Sequence, residues 1–161
     1  LSTQATDDNL TYTHNDIGYN FRLTNIQAAV GLAQLEKINL FLRKKKQILQ
    51  FYKKHLEDVE GIEILKTPHY TNNNNWLISL LINSKKYKKT KNQLLNLLKK
   101  KGIQSRPMWK PVHKQKPYKK FQKLKINKAD ELHKNILNIP CSTNLSKKDQ
   151  ISVIKEIKNN Q

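Results

Sequence analysis

The densest grouping of chemistry-bearing side chains lies between residues 106 and 118, where Arg106, Trp109, Lys110, His113 and Tyr118 share a stretch punctuated by Pro107, Pro111 and Pro117. A cation, an indole and an imidazole on one irregular segment can grip an anionic, ring-bearing ligand by charge, stacking and hydrogen bonding. Proline interrupts helices and strands, so the segment is expected to be a loop, the kind of element on which binding groups concentrate. The alternative is ordinary loop packing, with Trp109 filling a gap. The other histidines stand at positions 14, 55, 69 and 133, and no two share the spacing of a helical metal site. Few carboxylates lie near them, so no metal is expected. The single cysteine, Cys141, excludes an intrachain disulfide and points to a reducing, cytoplasmic setting. With four glycines, none adjacent, the chain holds no nucleophile elbow, phosphate loop or dinucleotide fingerprint.

The elements that must position this segment follow from apolar spacing. From Asn25 onward, Ile26, Ala29, Val30, Ala33, Ile38, Phe41, Leu42, Ile48, Leu49, Tyr52 and Leu56 fall near helical spacing, with no proline between them. Thr24 or Asn25 can cap the start. A helix from about Asn25 to Leu56 is about three times the mean length, and helices so long bridge domains or serve an oligomer interface. Gly61 ends it, and Ile62–Leu65 reads as a short strand. The apolar run from Trp76 to Ile82 reads as a strand buried on both faces or set at a sheet centre. Thr90 and Gln93 have capping-box spacing before a helix ending near Gly102, and Ile103–Arg106 is expected to return as a strand. Asn127 with Asp130, and Ser146 with Asp149, mark two more capped helices, over about 128–138 and 147–158. The last hundred or so residues thus read as a small α+β domain, and residues 1–24 as an irregular segment that needs a neighbour to lie on.

Charge offers a competing reading. Lys plus Arg number 31 against 12 acidic residues, a net charge of +19, which suggests a polyanionic partner. Nearly all of it is lysine, with only Arg22, Arg43 and Arg106 able to give the bidentate contacts that read phosphates and guanine edges. The Lys and Asn runs look like compositional drift on solvated faces, which argues against nucleic acid. A Lys-rich nucleic-acid-binding domain, or a non-catalytic interaction domain using the 26–35 helix face, remain the alternatives. No apolar run reaches the length of a spanning helix, so no membrane is expected.

Three motifs then carry a resemblance. The stretch from His14 through Tyr19-Asn20-Phe21-Arg22 and Thr24-Asn25-Ile26-Gln27-Ala28-Ala29 to Gln34-Leu35 resembles a signature of the DegT/DnrJ/EryC1/StrS aminotransferases. Gly102-Ile103, then Arg106-Pro107-Met108-Trp109-Lys110-Pro111-Val112-His113 and Pro117-Tyr118, is similar to a second. Asn138-Ile139-Pro140 with Asn144-Leu145-Ser146 resembles the family's closing pair. In order, they span about residues 2–158. Thr3–Asp8 also looks like the branch serving nonulosonic (legionaminic-type) acid synthesis.

The resemblance implies an α/β fold: the C-terminal portion of a fold-type-I pyridoxal 5'-phosphate (PLP) transferase, with a long connecting helix and a small α+β domain carrying a short sheet. Residues 1–24 would be a remnant of the large cofactor domain, 25–57 the connecting helix and 58–161 the small domain. The activity implied is transfer of an amino group, usually from glutamate, to a nucleotide-linked keto-sugar by a homodimer. Asn20 would reach the phosphate of the partner's cofactor, with Arg22 supplying charge to the same phosphate or to the substrate's; the alternative reading of Arg22 is a tie across the domain junction. Tyr19, Arg106, Trp109 and His113 would contact or shape the nucleotide-sugar pocket. The family's Schiff-base lysine precedes a glycine-rich run and lies upstream of the stretch resembling residues 2–35. No lysine here has that context, and the chain starts at Leu1 rather than Met. The expectation is a piece of a longer enzyme that transfers no amino group alone.

Overall fold

A computed structural model describes residues 13–19 and 23–160. The sheet has four strands, β1 (Ile62–Ile64), β2 (Ile78–Ile82), β3 (Arg106–Pro107) and β4 (Ile136–Ile139), in the order β1-β2-β4-β3 with every neighbouring pair antiparallel. Six α-helices, α1 (Asn25–Leu35), α2 (Ile38–Leu56), α3 (Ser84–Tyr87), α4 (Lys91–Lys100), α5 (Asn127–Asn135) and α6 (Lys147–Lys158), complete the described elements with two 3-10 turns.

Register divides the sheet into two faces, because directly paired residues point the same way. Ile78 pairs with Ile139 and Leu80 with Leu137. These four side chains join Ile48, Tyr52 and Leu56 of α2, Leu94 and Leu98 of α4, and Val153, Ile154 and Ile157 of α6 in one apolar core. Two buried tyrosines tie it to the backbone: Tyr52 Oη donates to the Pro140 carbonyl at 3.0 Å and Tyr87 Oη to that of Ile157 at 2.7 Å. Burial raises both phenols, that of Tyr87 to about 12. The opposite face carries a polar row across three strands, since Arg106 pairs with Asn138 and Asn138 with Ser79. Ser79 Oγ donates to Asn138 Oδ1 at 2.7 Å, which lets the amide be buried at low cost.

Several elements differ from expectation. The helical stretch from Asn25 divides at Glu36–Lys37, where the Lys37 amide donates back to Gln34 and its carbonyl starts the next helix. Neither proline nor glycine stands there to signal the turn. Thr24 does cap α1, in a full capping box with Gln27, and Thr90 with Gln93 does the same for α4. The larger correction is β4: residues 136–138, expected as helix, form a strand buried at every position. A four-residue apolar run has no period that separates strand from helix. Asn127 is not the cap of α5 either; Ile126 holds that place without a side-chain bond. Ile103–Ser105 lies outside the sheet, whose third strand is Arg106–Pro107, with proline tolerated at the edge.

Gly61 and Gly102 both have positive φ, +79° and +71°. A Cβ on Gly61 would collide with the Tyr87 backbone nitrogen and stand 2.9 Å from the Asn83 carbonyl, whereas one on Gly102 meets open space. Gly102→Ala is expected to cost about 1–2 kcal/mol, the left-handed penalty alone, and Gly61→Ala distinctly more. Urea unfolding of both variants measures the difference.

Candidate functional site

The 106–118 segment begins in β3 and leaves the sheet from this edge strand. The Met108 amide donates to the Ile136 carbonyl at 3.4 Å, extending the β3–β4 pairing by one bond. Beyond Trp109 the chain folds into 3-10 turns over Val112–Lys114 and Lys116–Tyr118, each begun next to a proline that presets φ. These turns bring His113 and Lys114 to Asp130, in the first turn of α5. His113 Nε2 lies 3.2 Å and Lys114 Nζ 2.8 Å from the same carboxylate oxygen, Oδ1. The Lys114 hydrogen bond, followed by the charges of Lys114 and His113, holds the Asp130 carboxyl below its usual range. Asp130 thus orients the imidazole expected to contact a ligand. A carboxylate in a first turn also complements the helix dipole.

Gln115 joins this segment to the first motif. Its side chain is buried; Oε1 accepts from the His14 amide at 3.0 Å and Nε2 donates to the Lys110 carbonyl at 3.3 Å. The bond spans 101 positions of sequence, so one amide side chain docks the 13–19 segment on the loop. Sequence reasoning missed Gln115 and assigned Asp130 only a capping role. No spacing rule links a glutamine to a backbone amide so distant.

The expected site residues are placed unevenly. Arg106 lies on β3, on the Asn138 face, and Trp109 stacks on Trp76 with ring centroids 5.7 Å apart and planes 29° apart. Tyr19 is 70% exposed, on the segment Gln115 anchors. Asn20 and Arg22 lie outside the described residues, as does Thr3–Asp8. Beside the loop is a cleft of about 500 Å³ lined by residues that include Lys91, Asn96, Met108, Lys110 and His133, within the range of small-molecule sites. His133 Nδ1 lies 3.2 Å from the Met108 carbonyl, and burial, then the charge of Lys91, lowers the histidine. A larger concavity, about 930 Å³, runs between α2 and the 143–150 segment. None of the expected site residues lines either concavity; the smaller one adjoins them through Met108 and Lys110, which flank Trp109 in sequence. Among the described residues no group of His, Cys, Asp and Glu could hold a metal, and no helix is long and apolar enough to cross a membrane.

The sequence model of the DegT/DnrJ/EryC1/StrS aminotransferase family matches residues 2–158. The chain belongs to that family. A GDP-perosamine synthase of Escherichia coli O157:H7 is 35% identical over 147 residues, covering 91% of this chain and 38% of that protein. A UDP-4-amino-4,6-dideoxy-N-acetyl-beta-L-altrosamine transaminase of Campylobacter jejuni (strain NCTC 11168) is 31% identical over 135 residues, 83% of this chain and 36% of that protein. Among solved structures, a DegT DnrJ EryC1 StrS aminotransferase from Brucella abortus superposes with a TM-score of 0.74 at 26% identity, covering 96% of this chain and 40% of that one. The chain therefore spans well under half the length of the relatives it matches. Its fold is that of the PLP-dependent sugar aminotransferases, whose relatives serve nucleotide-sugar biosynthesis.

An amide and a guanidinium, Asn20 and Arg22, stand in a stretch, 17–35, with no carboxylate to repel an anion. The same stretch has no lysine; the first in the sequence is Lys37.

The Asp130 clamp generates a pH prediction. A carboxyl lowered in the folded state stabilises above its ordinary value of about 3.9 and loses that contribution as pH falls through the folded value. Asp130→Asn is therefore expected to be less stable than the parent at pH 7, with the difference narrowing below about pH 4. Urea unfolding at pH 7, 5 and 3 measures it.

Proposed function

We propose that this chain is the C-terminal part of a cytoplasmic PLP-dependent aminotransferase that moves an amino group, from glutamate, onto a nucleotide-linked keto-sugar for cell-surface polysaccharide or nonulosonic acid synthesis. One observation carries the reading: buried Gln115 holds the 13–19 segment against the loop bearing His113 and Trp109. The two motifs that resemble the family's cofactor and substrate segments are thereby joined in one place. The relatives named above, one acting on a GDP-linked and one on a UDP-linked sugar, support the substrate class.

Each residue then has a task that its chemistry suits. Asn20 and Arg22 hold the cofactor phosphate, Asn20 from across a homodimer. His113, aligned by Asp130, hydrogen-bonds the sugar nucleotide, while Arg106 offers charge and Trp109 a ring face. Tyr19 lines the pocket. The cofactor supplies the electron sink that amino transfer requires, and its lysine and pyridine-pairing Asp would come from sequence preceding Leu1. The large domain and second subunit would cover α1, which buries none of its residues and leaves Ile26, Val30, Leu32 and Leu35 each more than half exposed.

Reading the coding sequence upstream of Leu1 tests this directly. An in-frame Asp, then a lysine before a glycine-rich run, supports it; a stop codon or unrelated sequence overturns it. Two outcomes follow for activity. The 161-residue chain, supplied with PLP, glutamate and keto-sugar nucleotide, is expected to form no amino sugar, as followed by mass spectrometry. In the whole enzyme, His113→Ala is expected to raise KM for the sugar nucleotide about tenfold or more, the worth of one hydrogen bond to a charged group, with KM for glutamate little changed in steady-state assays.

A further inference from the structure

The Asn72–Asn75 run, which composition alone assigns to drift, forms a defined turn. The Asn75 amide donates to Asn73 Oδ1 at 2.8 Å, and the Trp76 amide donates to Asn74 Oδ1 at 2.9 Å. Asn73 Nδ2 donates to Thr67 Oγ1 at 3.2 Å, and Asn75 takes a positive φ of 53°. Asparagine suits each place, because its side chain bonds the backbone two residues on and it tolerates the left-handed region. The turn delivers Trp76, whose carbonyl is held twice more: Lys45 Nζ donates to it at 2.8 Å and the Cys141 thiol at 3.2 Å. Lys45 also donates to the Cys141 carbonyl at 2.8 Å, so α2, the end of β4 and the start of β2 converge on this residue.

All of this ordering presents an indole that the fold does not bury. Trp76 is 64% exposed, against 38% for Trp109, on which it stacks. Apolar burial therefore does not account for it, since an indole left in water gains little from the core. An aromatic ring on an anchored backbone at the surface, backed by a second ring, is an arrangement that can stack a planar ligand. Arg106 and Lys110, flanking Trp109 in sequence, supply cations for phosphates attached to such a ring.

We propose that Trp76 is a further substrate-contacting residue: with Trp109 behind it, it forms the platform on which the base of a nucleoside diphosphate stacks. This rests on the reading of the 106–118 loop as a nucleotide-sugar site. It adds a base-recognition role for Trp76 and gives the asparagine turn and Lys45 the task of positioning it. Stacking serves any base, so the platform contributes affinity more than choice between uracil and guanine.

The chain's two tryptophans are the two platform rings, so fluorescence excited selectively at tryptophan, beyond the absorption of the six tyrosines, reports on this place. UDP and GDP are expected to quench it saturably, and inorganic pyrophosphate to leave it nearly unchanged. By calorimetry, Trp76→Ala is expected to weaken UDP and GDP about five- to hundredfold, the usual range for losing one base–aromatic stack. Trp76→Phe should stay within about threefold of the parent, and pyrophosphate affinity should be the same in all. If Trp76→Ala melts early, Trp76→Leu, which keeps apolar bulk without a ring, carries the same test. Unchanged nucleotide affinity in the Trp76 variants, with weakened binding in Arg106→Ala, would overturn the platform and leave the site reading standing. Unchanged affinity in both, or no nucleotide binding by the parent chain, would overturn both.

Discussion

Strand β4 is hydrogen-bonded along both edges and buried at all four positions, and the placement of the site follows from that confinement. A buried strand must have its amides and carbonyls paired, which obliges β2 and β3 to lie alongside in one register. That register puts Leu137 and Ile139 among the core side chains and Asn138 on the other face, with Ser79 and Arg106. A slip of one residue would exchange the faces, driving an amide into the core and two aliphatic side chains to the opposite face. β3 thus starts the 106–118 segment from a defined height and direction.

Beyond β3 the loop is tied by polar groups as well as by the Trp109–Trp76 stack. Gln115 uses both ends of its amide on backbone partners, and Asp130 receives a histidine and a lysine on one oxygen. The two hydrogen bonds of Gln115 fix angle as well as distance, which apolar contact does not. Binding groups on a loop without regular structure need directional ties of this kind to keep one geometry. The Asn73–Trp76 turn, with Lys45 and Cys141, applies the same principle from the other side of Trp109.

α1 presents the opposite situation, a helix with a complete capping box and no buried residue. Eleven residues make only a marginal helix in water without a packed face. Its Ile26, Val30, Leu32 and Leu35 stay more than half exposed, an apolar face that no described residue covers. The turn at Glu36–Lys37 separates this face from α2, whose own apolar stripe lies in the small-domain core.

Much of this was legible in the sequence. Thr24, one of two candidate caps, Thr90 with Gln93 and Ser146 with Asp149 announce helix starts because capping is a short-range exchange of hydrogen bonds, although Asn127 with Asp130 misled. The family signature at 14–35 and the Arg106–His113 motif were likewise readable, since they depend on order along the chain. β4 was hidden because strand pairing is a long-range event and Ile136–Ile139 is too short to show a period. The partners of His113 and Trp109, namely Asp130 and Trp76, were hidden for the same reason: they are 17 and 33 positions away in sequence. Local propensity and motif spacing therefore determined where α1, α4 and α6 start and which family motifs the chain carries. Only the tertiary structure decided which face β4 turns to the core and which side chains meet across the loop, because those contacts join segments that sequence proximity does not connect.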